Sequence, residues 1–190
     1  MNPSADYTRA LDLAKEQHRE SKTYSGKFLR PHRKRIKAII NRLECTSILD
    51  YGAGRGKQYE WRMPSGQTLE EFWGITVTKY DPAYPPYAKE PTGTFDLVIV
   101  THVLGIIPIP DLDWVIDRIY GLANKAVYIV NTTGSTPKRK KASWRVKNIP
   151  TAWGADEWMD ILRRHKTNDI EVHFTARPKN PAMKSGRWIL

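Results

Sequence analysis

The sequence contains little cysteine and no long apolar run. Cys45 is the single cysteine among 190 residues, which excludes an internal disulfide bond. No stretch approaches the roughly 18–20 apolar residues of a membrane helix, and the N-terminal stretch MNPSADYTRALDLAKEQHRE lacks the apolar core of a secretory signal. A cytoplasmic protein is therefore expected. Because no residue near Cys45 would activate its thiol, we expect this cysteine to be packed rather than nucleophilic.

Histidine clusters and two familiar nucleotide motifs are also missing. The five histidines are His18, His32, His102, His165 and His173. They are scattered along the chain, so we expect no metal site. The glycine-rich stretch ILDYGAGRGKQYEW, residues 48–61, has the spacing G-x-G-x-G rather than the G-x-G-x-x-G of a dinucleotide site. It is not a P-loop either, because Gln58 stands where a hydroxyl would hold magnesium.

Acidic residues are outnumbered by basic ones. The chain has 31 Lys and Arg against 20 Asp and Glu, a formal net charge of +11. This excess favours a polyanionic partner or substrate, although many basic proteins use such charge only for solubility. The excess is concentrated in RPHRKRIK, residues 30–37, and PKRKKASWRVK, residues 137–147.

The length and the ordinary apolar share (40%) predict one domain over residues 1–190. Apolar residues recur with a helical period over 7–14 and 36–43, which predicts a helical N-terminal segment over residues 1–44. The core would cover 45–190 and begin with a strand at about 47–51. A short helix should follow the glycines and end near Met63.

Five further segments are predicted as strands and two as helices. FWGITVTKYDP alternates and should end a strand at Asp81, whereas FDLVIVTHV and KAVYIVNTT are apolar runs typical of strands buried on both faces of a parallel sheet. IEVHFTARP and GRWIL should be two strands around the turn KNPAMKSG. Asp111 is expected to cap a helix that continues to Tyr120, and Trp158 marks another helix near 155–165.

This order of elements predicts an α/β fold with a mostly parallel sheet. Right-handed crossovers place the loops after each parallel strand on one edge, where ligands bind in such folds. The residues expected at that edge are the Gly52 loop, Asp81, Thr101, His102 and Asn131.

The stretch D-x-G-x-G-x-G after an apolar strand resembles motif I of the class I S-adenosylmethionine-dependent methyltransferases. VTKYDP resembles the end of that family's second strand, and FDLVIVTHVLGIIP its fourth-strand segment, so the resemblance covers most of the chain. More narrowly, these segments resemble small bacterial and phage methyltransferase-like proteins. The resemblance implies a Rossmann-like three-layer sandwich with an antiparallel C-terminal strand. The usual third strand would be short or missing, because only a loop fits between Asp81 and Phe95.

The resemblance also implies S-adenosyl-L-methionine as cofactor, S-adenosyl-L-homocysteine as product and no metal. The glycines would let the backbone pass close to the methionine part of the cofactor. Asp50 would take its ammonium, directly or through water, and Asp81 its two ribose hydroxyls. A structural glycine turn in another α/β protein is the alternative. The predicted cofactor-binding residues are Asp50, Tyr51, Gly52, Ala53, Gly54, Gly56, Tyr80, Asp81, Pro82, Thr101 and His102.

His102 is the candidate catalytic residue, because it follows a buried strand on the ligand edge. It could act as a general base, line the cofactor pocket, or bond to the backbone without a chemical role. The related proteins tend to have D-V-L-E-H-I-P here. This chain has His102 for the acid, Gly105 for the glutamate and Ile106 for the histidine. These changes bear on whether the group's chemistry is retained.

The segment DPAYPPY is close to a second motif. Asp81-Pro82-Ala83-Tyr84 is similar to the [DNS]-P-P-[YFW] of methyltransferases that act on exocyclic amines. In that family the motif follows the fourth strand when the glycine loop comes first, whereas here it follows the second. Asp81 on the ribose, with prolines stiffening the loop, is therefore the favoured interpretation.

Two segments near this edge are candidates for contact with substrate or cofactor. The basic loop after Asn131 combines charge with a stacking side chain, which suits nucleic acid or a phosphorylated molecule, and a solvated loop is the alternative. Tyr24 and Lys27 belong to the N-terminal segment, which by the resemblance folds over the cofactor as a lid. The predicted substrate residues are Lys138, Arg139, Lys140, Lys141, Trp144 and Arg145.

The sequence thus predicts methyl transfer to an undetermined acceptor, with nucleic acid or a nucleotide favoured. Because the sulfonium is already activated, such an enzyme chiefly positions the nucleophile. Two alternatives stay open. One is an enzyme that cleaves the sulfonium cofactor, and the other is a non-catalytic protein that uses a cofactor site and a basic surface to hold nucleic acid or protein.

Overall fold

The structure is a computed structural model that describes residues 3–19, 26–134, 148–150, 153–166, 170–178 and 185–190. Helices and strands alternate along most of the chain. In order, the elements of the described residues are α1 (Ala5–Arg19), α2 (Arg33–Arg42), β1 (Ile48–Tyr51), α3 (Lys57–Glu60), α4 (Leu69–Trp73), β2 (Val77–Tyr80), β3 (Phe95–Thr101), α5 (Ile109–Gly121), β4 (Ala123–Thr133), α6 (Ala155–His165), β5 (Glu171–Pro178) and β6 (Gly186–Ile189).

Six strands of the described residues form one mixed sheet in the order β2-β1-β3-β4-β5-β6. The first five are parallel, and β6 pairs antiparallel with β5 at the edge. The five parallel strands follow the 3-2-1-4-5-6 order of Rossmann folds with one outer strand left out. The arrangement is therefore consistent with a Rossmann-like fold. Between β2 and β3 the chain forms only a 3₁₀ turn at Pro85–Tyr87, so the strand predicted to be short or missing is absent.

Helices cover both faces of this sheet, and the alternation of side chains along each strand decides which face a residue joins. On one face Ile48 and Ile99 pack with α2 and α4. On the other face Leu49 and Val98 pack with α5 and α6. Because β3 and β4 are buried on both faces, their sequences are continuous apolar runs. None of the described helices combines the length and apolar content that a membrane span requires.

The predicted strands and the helix at 155–165 are confirmed, with boundaries that differ by one or two residues except at the start of β2. Most of the predicted turn KNPAMKSG lies outside the described residues. β2 begins at Val77, later than the segment FWGITVTKYDP suggested, because Phe72 and Trp73 belong to α4. Thr68 caps that helix by accepting a hydrogen bond from the Glu71 N–H at 3.2 Å. The Glu71 carboxylate in turn accepts one from the Thr68 N–H at 2.7 Å, which completes a capping box.

Asp111 does not cap α5, so that prediction is wrong. The helix already begins at Ile109, with Pro110 in its first turn, where proline is well tolerated. The Asp111 carboxylate instead accepts hydrogen bonds from the Ser4 N–H (2.9 Å) and from the Trp114 indole (3.0 Å). Burial acts to raise the pKa of Asp111, but the bonds from Ser4 and Trp114 outweigh it and leave the pKa below its ordinary value. These contacts hold the start of α1 against α5.

Candidate functional site

A cavity of about 500 Å³ lies at the carboxyl ends of β1, β2 and β3. It includes the point where the connections from β1 and β3 run in opposite directions, which is where open α/β sheets bind ligands. Its volume falls in the range of roughly 300–1,000 Å³ that is common for small-molecule sites. The strand ends and the loops after them provide Tyr51, Gly52, Ala53, Gly54, Asp81, Pro82, Ala83, Thr101, His102 and Val103.

The glycines of the loop after β1 adopt backbone conformations that favour glycine. Gly52, Gly54 and Gly56 have φ values of +84°, +59° and +70°. A Cβ on Gly52 would lie 2.1 Å from Val103 Cγ2, and one on Gly56 would lie 2.8 Å from the Tyr87 hydroxyl. Close packing against the end of β3 is therefore one physical reason for glycine at position 52, besides any contact with a ligand.

Tyr80, the last residue of β2, ties the glycine loop to the neighbouring strand. Its carbonyl accepts hydrogen bonds from the Gly52 N–H (2.7 Å) and the Ala53 N–H (3.0 Å). Its ring packs against that of Tyr51 with 5.0 Å between centroids, and its hydroxyl donates to Glu90 at 2.8 Å. The loop is thus fixed before any ligand binds.

Asp81 is the acid at the tip of β2, and its side chain is nearly buried. Its Oδ2 accepts a hydrogen bond from the Gly54 N–H (2.8 Å), and its Oδ1 accepts one from the Ala83 N–H (2.9 Å). His18 of α1 brings its Nε2 to 3.7 Å from the same Oδ1. Burial raises the pKa of Asp81, although these contacts act against it, and burial lowers the pKa of His18. One carboxylate therefore joins β2, the glycine loop and α1.

Asp50 is fully buried beneath the loop and is not among the residues that line the cavity. Its Oδ2 accepts hydrogen bonds from the Gln58 amide (2.8 Å) and the Tyr59 hydroxyl (2.7 Å). Burial raises the pKa of Asp50 to about 6, more than these two bonds lower it. Gln58 also donates to the Ala53 carbonyl at 3.0 Å and itself lines the cavity. Gln58 thus links the buried carboxylate to the cavity surface.

His102 lines the cavity with a backbone conformation that is uncommon outside glycine. Its φ is +58°, and its N–H donates to the Val130 carbonyl at 2.7 Å. Its Nδ1 lies 3.0 Å from Thr132 Oγ1, and its ring centroid lies 4.5 Å from that of Phe28. Residues held in the left-handed region cluster at functional sites, although histidine tolerates this region better than most side chains.

One wall of the cavity is formed by α1, which contributed no residue to the predicted cofactor set. The wall consists of Tyr7, Ala10, Leu11, Ala14, Gln17 and His18. These residues follow the helical period that predicted α1, and small side chains at 10 and 14 leave room for a ligand. The same pattern is typical of ordinary helix packing, so it gave no reason to expect a wall of a site. Gln58, Phe28, Ile106, Ile107 and Val115 also line the cavity and were not predicted.

The predicted site residues fall into three groups. Those that line the cavity are Lys27, Tyr51, Gly52, Ala53, Gly54, Asp81, Pro82, Thr101 and His102. Asp50, Gly56 and Tyr80 are buried close to it without lining it. Tyr24 and the predicted substrate residues Lys138, Arg139, Lys140, Lys141, Trp144 and Arg145 lie outside the described residues.

Within the described parts of the chain, no three His, Cys, Asp or Glu side chains come together as they would around a metal ion. Comparisons with family models, curated proteins and solved structures gave no match to this chain.

Proposed function

We propose that this protein is an S-adenosylmethionine-dependent methyltransferase of class I architecture, with its cofactor site in the cavity at the ends of β1–β3. The observation that carries the proposal is that the glycine loop and Asp81 face the same cavity. In Rossmann-like folds a glycine turn after the first strand, with an acid after the second, receives the adenosine part of a ligand. The loop spacing G-x-G-x-G favours an adenosyl cofactor over a dinucleotide.

The cavity lining suits the separate parts of this cofactor. Asp81 would accept hydrogen bonds from the ribose hydroxyls, as acids at this place do in dinucleotide folds. Because the Gln58 amide nitrogen is bonded to Asp50, its Oε1 is the atom that can accept from an ammonium group. The negative charge of Asp50 would then act on the ammonium through Gln58. Apolar side chains such as Leu11 and Val103 would exclude water from the rest of the ligand.

When bound, S-adenosylmethionine supplies a methyl group already activated on sulfur, so the chain's task is to orient an acceptor beside it. In this proposal, His102 lines the part of the cavity where the methyl acceptor would bind. Its contact with Thr132 fixes the orientation of its imidazole ring. A proton would pass to His102 only if the acceptor loses one in the transition state. If the acceptor loses no proton, His102 and Phe28 only line the cavity and contact the acceptor.

The cofactor site can be tested by titration calorimetry with S-adenosylmethionine and S-adenosylhomocysteine. We expect both to bind the wild type, and Asp81→Asn to weaken binding about tenfold or more, because charge-assisted hydrogen bonds from the ribose are lost. Asp96→Asn is the matched control. Asp96 is as buried as Asp81, at 8% exposure each, and it also accepts a backbone N–H, from Thr46. It lies near the start of β3, at the other end of the strands.

Asp96→Asn should keep the wild-type affinity even if its thermal stability falls. If the wild type binds neither compound, the proposal is wrong. If Asp81→Asn and Asp96→Asn weaken binding equally, Asp81 has no role in the site.

Transfer is tested separately, with methyl-labelled cofactor and total nucleic acid as acceptor. Label that appears in nucleic acid supports methyl transfer to that class. Loss of cofactor without a labelled macromolecule would instead favour cleavage of the sulfonium or a small acceptor. Binding without turnover would favour a non-catalytic protein.

A further inference from the structure

A second concavity lies on the α2 side of the sheet, between the start of α2 and the strands β5 and β6. Its volume is about 760 Å³, and we call it the basic groove. It is lined by Lys34, Arg35, Thr175, Arg177 and Arg187, among other residues. Because Thr175 pairs with Arg187 across the antiparallel strands, the two lie on one face of the sheet.

The basic groove carries four positive side chains that have no acidic partner in the described parts of the chain. Lys34, Arg35, Arg177 and Arg187 all line it, and none of the described residues that line it is acidic. Among the described residues, none of the four forms an ion pair. Cations gathered in one concavity without counter-charges repel one another, so an anion with several charges would be attracted there.

His32 supplies a second, independent sign of a ligand. It lines the basic groove and is 7% exposed, and its Nδ1 lies 2.8 Å from the Tyr128 hydroxyl. Arg35 donates to the same hydroxyl at 3.4 Å. Tyr128 is therefore free to donate its own proton to Nδ1, which places the imidazole proton on Nε2. The Nε2 atom is buried without a hydrogen-bond partner among the described residues, and an acceptor oxygen would satisfy it.

The basic groove is connected to the cavity through Phe28. Arg177 Cζ lies 6.0 Å from the centre of the Phe28 ring, and that ring packs on His102 in the cavity. Thr132, which contacts His102, is the register partner of Arg177 on the next strand. Phe28 is 47% exposed, an unusual exposure for a large apolar ring. The exposed ring of Phe28, on which a base could stack, thus lies between the basic groove and the proposed methyl-transfer site.

We propose that the basic groove binds the sugar-phosphate backbone of a single-stranded nucleic acid, with a base stacked on Phe28 at the mouth of the cavity. Unpaired cations along a groove and an exposed aromatic side chain are the two elements by which proteins hold single strands. A duplex would keep its bases stacked inside and offer Phe28 no free base face. The choice of acceptor rests on the proposed function, whereas binding of the strand does not.

The test compares two triple variants of equal charge. Lys34→Gln/Arg177→Gln/Arg187→Gln removes three exposed cations of the basic groove, and Arg62→Gln/Arg163→Gln/Arg164→Gln removes three exposed cations elsewhere. Binding of fluorescein-labelled oligonucleotides of about 12 nucleotides is followed by anisotropy over a salt series. We expect the groove variant to reduce the slope of log affinity against log salt by about 2, at roughly 0.7 for each phosphate contact in a single strand. The control variant should leave the slope near the wild-type value.

Phe28→Leu provides the aromatic arm of the test. It should weaken single-strand binding about tenfold and duplex binding far less, because only an unstacked base can use the ring. The proposal is overturned if the groove variant loses no more affinity than its control, or if duplex and single strand respond alike to Phe28→Leu.

Calorimetry with S-adenosylmethionine separates this proposal from the previous one. If the wild type binds oligonucleotide through the basic groove but binds no cofactor, the proposal of single-strand binding is supported and the methyltransferase proposal is wrong. If cofactor binds and the groove variant behaves like its control, only the groove proposal falls.

Discussion

In the cavity the two aspartates are hydrogen-bonded to other groups of the chain, whereas in the basic groove the cations have no acidic partner among the described residues. Asp81 is held by two backbone N–H groups, and Asp50 by the side chains of Gln58 and Tyr59. In the groove, Arg177 and Arg187 have no acidic partner among the described residues. A site that is already hydrogen-bonded suits a small ligand of fixed shape. Unpaired surface cations suit a long polyanion whose contacts are individually weak.

The difference follows from what covers the sheet. On the α2 side, the apolar core includes residues of β1 to β4 and, among the described residues, none of β5 or β6. The strands at that edge therefore place polar and charged side chains where an interior would otherwise form. At the ends of β1 and β3, by contrast, α1 and the glycine loop enclose the cavity from several sides.

Gly52→Ala should break the cavity and produce the largest effect. Alanine at a φ of +84° is strained by roughly 1–2 kcal/mol. A Cβ placed 2.1 Å from Val103 Cγ2 should add about 1–3 kcal/mol of overpacking. We expect the free energy of unfolding, measured by urea denaturation, to fall by about 4 kcal/mol, and cofactor binding to be lost.

Gly66→Ala is the matched control for this variant. Gly66 also has a φ of +84°, and no atom of the described residues lies within 4 Å of where its Cβ would be. Its loss of stability should therefore be the backbone strain alone, roughly 1–2 kcal/mol as at position 52, with cofactor binding unchanged. Equal losses in the two variants would show that contact with Val103 does not require glycine at position 52.

The strands and the ends of the strands could be predicted from the sequence, because both are local. β3 and β4 are unbroken apolar runs, and Gly52, Asp81 and His102 each follow the end of a strand. Parallel strands bring such ends to one edge whatever the details of packing. The predicted start of α5 was wrong because an aspartate before an apolar helical pattern is typical of a helix cap. The Asp111 carboxylate instead accepts a hydrogen bond from the Ser4 N–H.

The α1 wall and the basic groove could not be predicted, because both depend on tertiary packing. His18 meets Asp81 only after α1 folds across the edge of the sheet. Lys34 and Arg177 lie far apart in the chain, and the packing of α2 on the sheet brings them to one concavity. A basic run in the sequence, such as residues 30–37, shows charge but not the surface that the charge faces.

Asp50→Asn should produce an effect of intermediate size that depends on pH. The folded protein raises the pKa of Asp50 from 3.8 to about 6 by burial, so the unfolded chain loses this proton first as pH rises. Ionisation of Asp50 therefore destabilises the wild type between these two values. The stability of Asp50→Asn relative to the wild type should increase by about 3 kcal/mol from pH 3.5 to pH 7. Urea denaturation at several pH values measures it.

Asp96→Asn should show the opposite trend. Burial acts to raise the pKa of Asp96, but hydrogen bonds from Thr46 and the charge of Lys125 outweigh it and lower the pKa. The ionised Asp96 therefore stabilises the fold above its unfolded pKa, and this contribution is lost as pH falls through the folded value. Relative to the wild type, Asp96→Asn should become less stable as pH rises. The same trend in both variants would contradict the proposed difference between the two acids, in which the fold disfavours the ionised form of Asp50 and favours the ionised form of Asp96.

Arg177→Gln/Arg187→Gln should produce the smallest effect, a rise in the pKa of His32 measured by NMR titration of its ring protons. The pKa of His32 is lowered from 6.5 to about 4. Burial is the largest cause, and the charges of Arg177, Arg35 and Arg187 contribute to the same shift. Removing two charges should raise the pKa but leave it below 6.5, because burial is unchanged. The control Arg163→Gln/Arg164→Gln should not move it.

Salt extends this last test to both regions of the molecule. The charges of Arg177 and Arg187 are exposed, so added salt should screen them and raise the pKa of His32 in the wild type but much less in the double variant. Burial dominates the pKa values of Asp81 and His18 in the cavity, and salt should hardly change them. If His32 responds neither to the substitutions nor to salt, the groove does not carry the uncompensated positive potential on which its contrast with the cavity depends.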